Sequence, residues 1–193
     1  AYRDADPGFG EVNPAAGVFQ CGFNPVFTNG IDSLTAVFTA CVAGDPGTTD
    51  AAWYGWDFGA GQTPQSGADK RVATNTYGKG QYTVMLTVSN TLGAVTNSTR
   101  VGCVKVVSST SFVWSAGSHA YPFDSWANAA TTLQAAVDVA ETAFDAGATN
   151  SATVWVTNGT YSVASRTAVC RGIKIRSVNG AEATTVWRAS GNI

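Results

Sequence analysis

Between Trp53 and Asn90 the chain reads WYGWDFGAGQTP, then a polar linker, then TYGKGQYTVMLTVSN, and this stretch restricts the fold more than any other. Tyr82, Val84, Leu86 and Val88 alternate with Thr83, Met85 and Thr87. A period of two puts every second side chain of a strand on one face, so this segment is expected to be a strand with one side in a core. Trp56 and Phe58 bracket Asp57 in the same rhythm. Gly59 and Gly61, and again Gly78 and Gly80, fall where short strands must reverse, and glycine takes positive φ there without strain. Leu34, Ala36, Phe38 and Ala40 predict an earlier strand with a buried face. Val101 to Val107 predicts a later one that closes the layer, and Asp45-Pro46-Gly47 predicts a turn.

These residues carry a resemblance. WDFGAG, followed about twenty residues later by Tyr-Gly-x-Gly-x-Tyr-Thr-Val-x-Leu-Thr-Val-x-Asn-x-x-Gly, resembles the PKD domain, an immunoglobulin-like β-sandwich of extracellular and cell-surface proteins. The resemblance runs from roughly Phe23 to Val107 and implies a sandwich over residues 21–108. Many members carry Asp where this chain has Ala60, giving WDFGDG. Without that carboxylate, the calcium site of ion-binding relatives is not implied here.

Only 12% of the 193 residues are charged, about half the usual share for a soluble domain. Thr, Ser, Ala, Asn and Gly fill the surface positions, as in secreted and surface proteins. A net charge of -2 provides no electrostatic footprint for nucleic acid. No apolar run approaches the roughly 18 residues of a membrane span, so membrane insertion is not expected. No secretory leader is visible, as in a mature or excised segment. Cys21, Cys41, Cys103 and Cys170 contain no C-x-x-C pair, which argues against zinc. Their even number in a weakly charged β-rich chain favours disulfides, with three connectivities open. Buried free thiols are the alternative.

Residues 1–20 are expected to form an irregular arm, because Pro7, Pro14, Gly8, Gly10 and Gly17 disfavour a long helix. DADPGFGEVNPAAGVFQ in this arm is similar to the segment closing a parallel β-helix in large repetitive bacterial surface proteins. The Ser-rich residues 109–120 are expected as a linker between domains. Beyond it, Trp126, Ala130, Leu133, Val137, Ala140 and Phe144 recur at helical spacing. Thr131 and Gln134 have the spacing of a capping box that would start the main helix after a short turn containing Trp126, and Gly147 supplies the stop. Short strands then follow in TVWVTNGTYSV, VCRGIKIRSVNG and TTVWRASG.

A helix followed by such strands resembles the start of a right-handed parallel β-helix of the pectate-lyase-like superfamily, over residues 121–193. The resemblance implies a helix capping the first coil. Repeat folds of this kind need about three units before the stacked core is stable. The last coil therefore calls for a cover: a homopolymer neighbour, a tandem continuation, or another part of the chain.

Catalytic patterns are weak. His119 is the sole histidine, and there is no G-x-S-x-G elbow around a serine. Asp57-Phe58-Gly59 spells a kinase metal motif but lacks the lysine strand and the catalytic loop. A glycosidase needs two carboxylates, and residues 151–193 contain only Glu182. The acids, bases and calcium ligands of β-helix lyases and hydrolases belong to later coils, so none is carried over. No cofactor is implied. Candidate contacts for a polysaccharide or a surface protein are Trp53 or Tyr54, with Trp56 assigned to the core, and Lys174 with Arg176, set opposite to Ile173 and Ile175 on alternating strand positions. A solvated basic face is the plainer account of the second pair, and Asn97 and Asn158 stand in glycan-acceptor patterns.

The chain is thus expected to be mainly β: an immunoglobulin-like PKD sandwich plus a helix-capped partial parallel β-helix. Its expected role is that of a non-catalytic extracellular structural or adhesive module that assembles end to end or continues into repeats. The alternative is a polysaccharide-binding fragment of a carbohydrate-active enzyme with a truncated β-helix.

Overall fold

A computed structural model describes residues 19–43, 51–163 and 166–188. The arm at residues 1–18, with its likeness to a closing segment, and the turn expected at Asp45-Pro46-Gly47 lie outside the described residues. Contacts divide the chain into two units. Strands β1 (Gln20–Val26), β2 (Asn29–Ile31), β3 (Ser33–Ala43), β4 (Ala51–Asp57), β5 (Gln65–Gly67), β6 (Val72–Gly78), β7 (Gly80–Asn90) and β8 (Val95–Val107) run first along the chain.

The first unit is a β-sandwich. One layer pairs β1 antiparallel with β3, which also pairs β6; the other has the order β8-β7-β4-β5. Its core follows from the alternation in β7: Val84, Leu86 and Val88 are fully buried while Thr83 and Met85 face out. From the facing layer come Phe23 on β1 and Phe38 on β3. Phe38 lies 5.8 Å from Trp56, 5.5 Å from Phe58 and 6.3 Å from Tyr77 between ring centroids. Edge-to-face and offset contacts of this kind stabilise beyond area burial alone. The Trp56 indole N–H is satisfied by the Lys70 carbonyl at 2.7 Å.

Turn chemistry closes the strands. The Asp57 carboxylate accepts the Gly59 N–H at 2.8 Å, and Gly59 has φ +99, where a Cβ would lie 2.9 Å from the Thr83 carbonyl oxygen. Asn90, buried at the end of β7, accepts the N–H groups of Leu92 and Ala94.

The second unit gathers Asn29–Leu34, Gly78–Gln81 and the chain from Lys105 onward. β2 runs parallel to Lys105–Val107 of β8. Then come β9 (Thr110–Val113), helix α1 (Leu133–Asp145), β10 (Thr153–Val156), β11 (Gly159–Val163), β12 (Lys174–Ser177) and β13 (Thr184–Arg188). β9, β10 and β12 form a parallel sheet in the order β12-β10-β9, and β11 pairs β13 in parallel. Columns of matching residues result: Ser111, Val154 and Ile175; Val113, Val156 and Ser177; Tyr161 and Val186. Helix α1 packs against β9, β10 and β2 and buries Leu133, Ala136, Val137, Val139, Ala140 and Ala143. The buried Ser111 hydroxyl donates to the Ala136 carbonyl at 2.9 Å, so the single polar group in that column is satisfied by the helix.

Three local expectations are corrected here. Residues 110–113, expected within a linker, are strand β9. The helix begins at Leu133, with Trp126 ahead of it as expected; Ala130, expected on the helix face, instead bridges to Val113. The capping box does not form. Thr131 donates its N–H to the His119 Nδ1 at 2.9 Å, while Gln134 accepts the Ala168 N–H and donates to the Ala168 carbonyl. Tertiary partners have captured both side chains. Gly147 does end the helix, with φ +112 and its N–H on the Phe144 carbonyl.

Candidate functional site

In the sandwich, strand alternation decides which ring of Trp53-Tyr54-Gly55-Trp56 reaches solvent. Tyr54 and Trp56 turn inward, and Tyr54 is only 7% exposed. That removes Tyr54 as a contact residue. Trp53 is 40% exposed and shares its face with Gly55 and Asp57. A Cβ on residue 55 would stand 2.2 Å from the far edge of the Trp53 ring, so the indole reaches over the position that the bare glycine leaves open. Pro64, Gln65, Ser66, Met85 and Thr87 border the same shallow depression of about 290 Å³. A half-exposed amphipathic ring on a sheet can offer apolar surface to a ligand while its neighbours supply hydrogen bonds.

Lys174 and Arg176 both point outward from β12 and are exposed. Each is engaged with its own unit. Lys174 Nζ donates to the Asn150 carbonyl at 2.6 Å, and the Arg176 guanidinium sits 6.0 Å from the Trp155 ring centroid. Arg171 pairs with Asp145 at 2.6 Å.

The inner columns of the second unit change along the stack. Val154 is fully buried, yet Ile175, its neighbour on β12, is 44% exposed. Tyr161 is 6% exposed, whereas Val186 opposite it on β13 is 49% exposed. Ile175 and Val186 line a hollow of about 560 Å³ together with Leu133, Val156, Val178 and Thr184. Among the described residues no strand pairs with the outer edge of β12.

None of the four cysteines is paired. Gly22, the neighbour of Cys21, is the residue opposite Cys41, so the two thiols project to opposite faces of the β1–β3 ladder and cannot bridge. Burial raises the Cys21 and Cys103 thiols above their ordinary range. Cys170 is exposed, its N–H bonded to the Glu141 carboxylate. His119 serves as a loop clasp: beyond its bond to Thr131, its ring lies 5.1 Å from that of Phe123. Among the described residues no three His, Cys, Asp or Glu side chains are grouped to hold a metal ion, and no helix is long and apolar enough to cross a membrane.

A search of curated proteins finds no match. Among solved structures, one described as addressing the promiscuous specificity of carbohydrate-binding modules from the β-sandwich superfamily is 28% identical, over 51% of this chain and 38% of that one, with a TM-score of 0.41. This chain thus spans well under half the length of that protein. The PKD1 domain of Vibrio anguillarum Epp is 29% identical over 47% of this chain and 98% of that domain, with a TM-score of 0.38. The PKD domain family matches residues 29–103, so the sandwich segment of this chain carries a PKD domain.

Proposed function

We propose that the chain is a non-catalytic extracellular structural module whose second unit is the beginning of a parallel β-helix and adds further strands at the edge of β12 and β13. One observation carries this reading. Inner positions that are buried on β10 and β11 become exposed on the next strands, at Ile175 and Val186, while the backbone register continues unbroken. An edge of this kind presents a row of unpaired N–H and C=O groups above apolar side chains. A parallel strand pair from another copy or a tandem neighbour would fill the hollow and complete both columns. Sedimentation velocity over a concentration series, with negative-stain imaging, tests the reading. End-to-end growth that Ile175→Lys and Val186→Lys abolish is expected. A single species of monomer mass at all concentrations would overturn the self-assembly.

A second reading rests on a different observation, the half-exposed Trp53 indole reaching over Gly55. It makes the sandwich a polysaccharide contact, with Lys174 and Arg176 as a separate candidate for acidic polymers. Pull-down on insoluble polysaccharide should weaken several-fold in Trp53→Ala. Unchanged binding to polygalacturonate in the Lys174→Ala/Arg176→Ala double variant would remove the basic pair from the account.

A further inference from the structure

We infer that the second unit carries a separate binding site for a neutral sugar ring, framed by Trp114 and Trp126. The site is built by the repeat of the parallel strands. Trp114, Thr157 and Val178 are the residues that directly follow the last paired positions Val113, Val156 and Ser177. Asn158 and Asn179 come next on the second and third of these turns, and the Asn179 Nδ2 donates to the Asn158 Oδ1 at 3.0 Å. With Trp126 these residues line a hollow of about 440 Å³.

Both indoles remain open although the apolar core lies beside them: Trp114 is 38% and Trp126 36% exposed. Neither is loose. Trp126 meets Phe112 edge to face with centroids 4.5 Å apart, and the Trp114 backbone N–H is held by the Ala130 carbonyl at 2.9 Å. A ligand therefore meets a Trp126 ring that is already positioned, which lowers the ordering cost of binding.

The lining selects the ligand by chemistry. It holds two π-faces, an aliphatic Val178, the hydroxyl of Thr157 and two carboxamides, with no charged side chain. The Thr157 hydroxyl is shared with Tyr161 at 2.6 Å. The bond between the two carboxamides uses one end of each, leaving the Asn158 Nδ2 donor and the Asn179 Oδ1 acceptor for a ligand. A pyranose ring has this complement: a C–H face that stacks on an indole and equatorial hydroxyls that both donate and accept. A carboxylated sugar would lose its hydration with no cation in the lining to compensate it. This site lies in the second unit and uses none of Trp53, Lys174 or Arg176, so it stands independently of the polysaccharide readings above.

The test is a titration of the whole chain with cellohexaose, xylohexaose, mannohexaose and chitohexaose, and with trigalacturonate as the acidic control, followed by indole and side-chain amide NMR signals. Saturable shifts of the Trp114 and Trp126 indole signals and the Asn158 and Asn179 amides by at least one neutral hexasaccharide are expected. Trp126→Ala should weaken that binding at least ~10-fold, as for a buried aromatic anchor. Asn179→Ala, an exposed turn substitution that spares the Phe112 contact, should weaken it about threefold, and Trp53→Ala should leave it unchanged. The proposal is overturned if none of the four sugars shifts these signals at about 10 mM. It is equally overturned by a preference for trigalacturonate, by full affinity in both Trp126→Ala and Asn179→Ala, or by loss of affinity in Trp53→Ala alone, which would assign the sugar to the sandwich.

Discussion

The sandwich and the parallel-stranded unit use the same alternation of apolar and polar residues with opposite results. In the sandwich Val84, Leu86 and Val88 are all fully buried, because a second layer bearing Phe23 and Phe38 faces them. In the second unit Val154 is fully buried and its neighbour Ile175 is not. The difference teaches that alternation specifies which face a side chain takes, whereas burial depends on whether something lies across that face. Within a parallel stack the cover for one strand is the next strand, so protection falls off at the edge.

Truncations break the comparison most directly. Trp56→Ala in the sandwich core should cost about 3–5 kcal/mol, read as an earlier denaturant midpoint. A loss under about 1 kcal/mol would show that the aromatic cluster is not what holds the two layers together. A matched pair sharpens the contrast inside the second unit. Val154→Ala should cost about 2 kcal/mol and Ile175→Ala less than about 0.5 kcal/mol at low protein concentration. Equal costs would mean that the β12 edge is covered in solution.

Alkaline titration compares the units by their buried acids. Burial raises Cys21, Cys103 and Tyr77 in the sandwich, and in the second unit it raises Tyr121 to about 12. These groups ionise first in the unfolded chain. Stability should therefore hold up to about pH 9 and fall as pH rises toward the folded values, by on the order of 2 kcal/mol for a two-unit shift. Thermal melts from pH 8 upward should show the sandwich as the more alkali-sensitive unit; the reverse order would contradict the burial of its thiols.

A small effect belongs to Asp124. Its hydrogen bond from Lys79 holds the carboxyl below the usual range, with Asn128 as a lesser donor. That contribution is present above the ordinary carboxylate pKa and is lost as pH falls through the lowered one. Because Lys79 is 38% exposed, Asp124→Asn should cost no more than about 1 kcal/mol, measured as the difference between melts at neutral and acid pH.

Much of the fold was legible where a single strand carries its own signal. Trp56 and Phe58, the alternation of β7, the strands after the helix and the Gly147 stop all depend on spacing, which the chain states openly. Thr131 and Gln134 were misleading because a capping box is a local pattern that distant partners can dissolve, and His119 and Ala168 did so. For the cysteines, parity left three connectivities open, and only the β1–β3 register removes Cys21–Cys41, by pointing the two thiols to opposite faces. Trp114 and Trp126 gave no sign of sharing a hollow, since the turn after β9 meets those after β10 and β12 only once the strands stack.

By itself the sequence determined the period of each strand, the turns that demand glycine, and hence a mainly β chain, while the motifs between Trp53 and Asn90 carried the PKD resemblance that the family match places at residues 29–103. Tertiary structure alone decided which of two adjacent aromatics, Trp53 or Tyr54, meets solvent, which thiols are out of reach of one another, and where the parallel columns lose their cover. The reason is physical: backbone period is set by local sterics along the chain, whereas burial and pairing are set by residues far apart in sequence that meet only after folding.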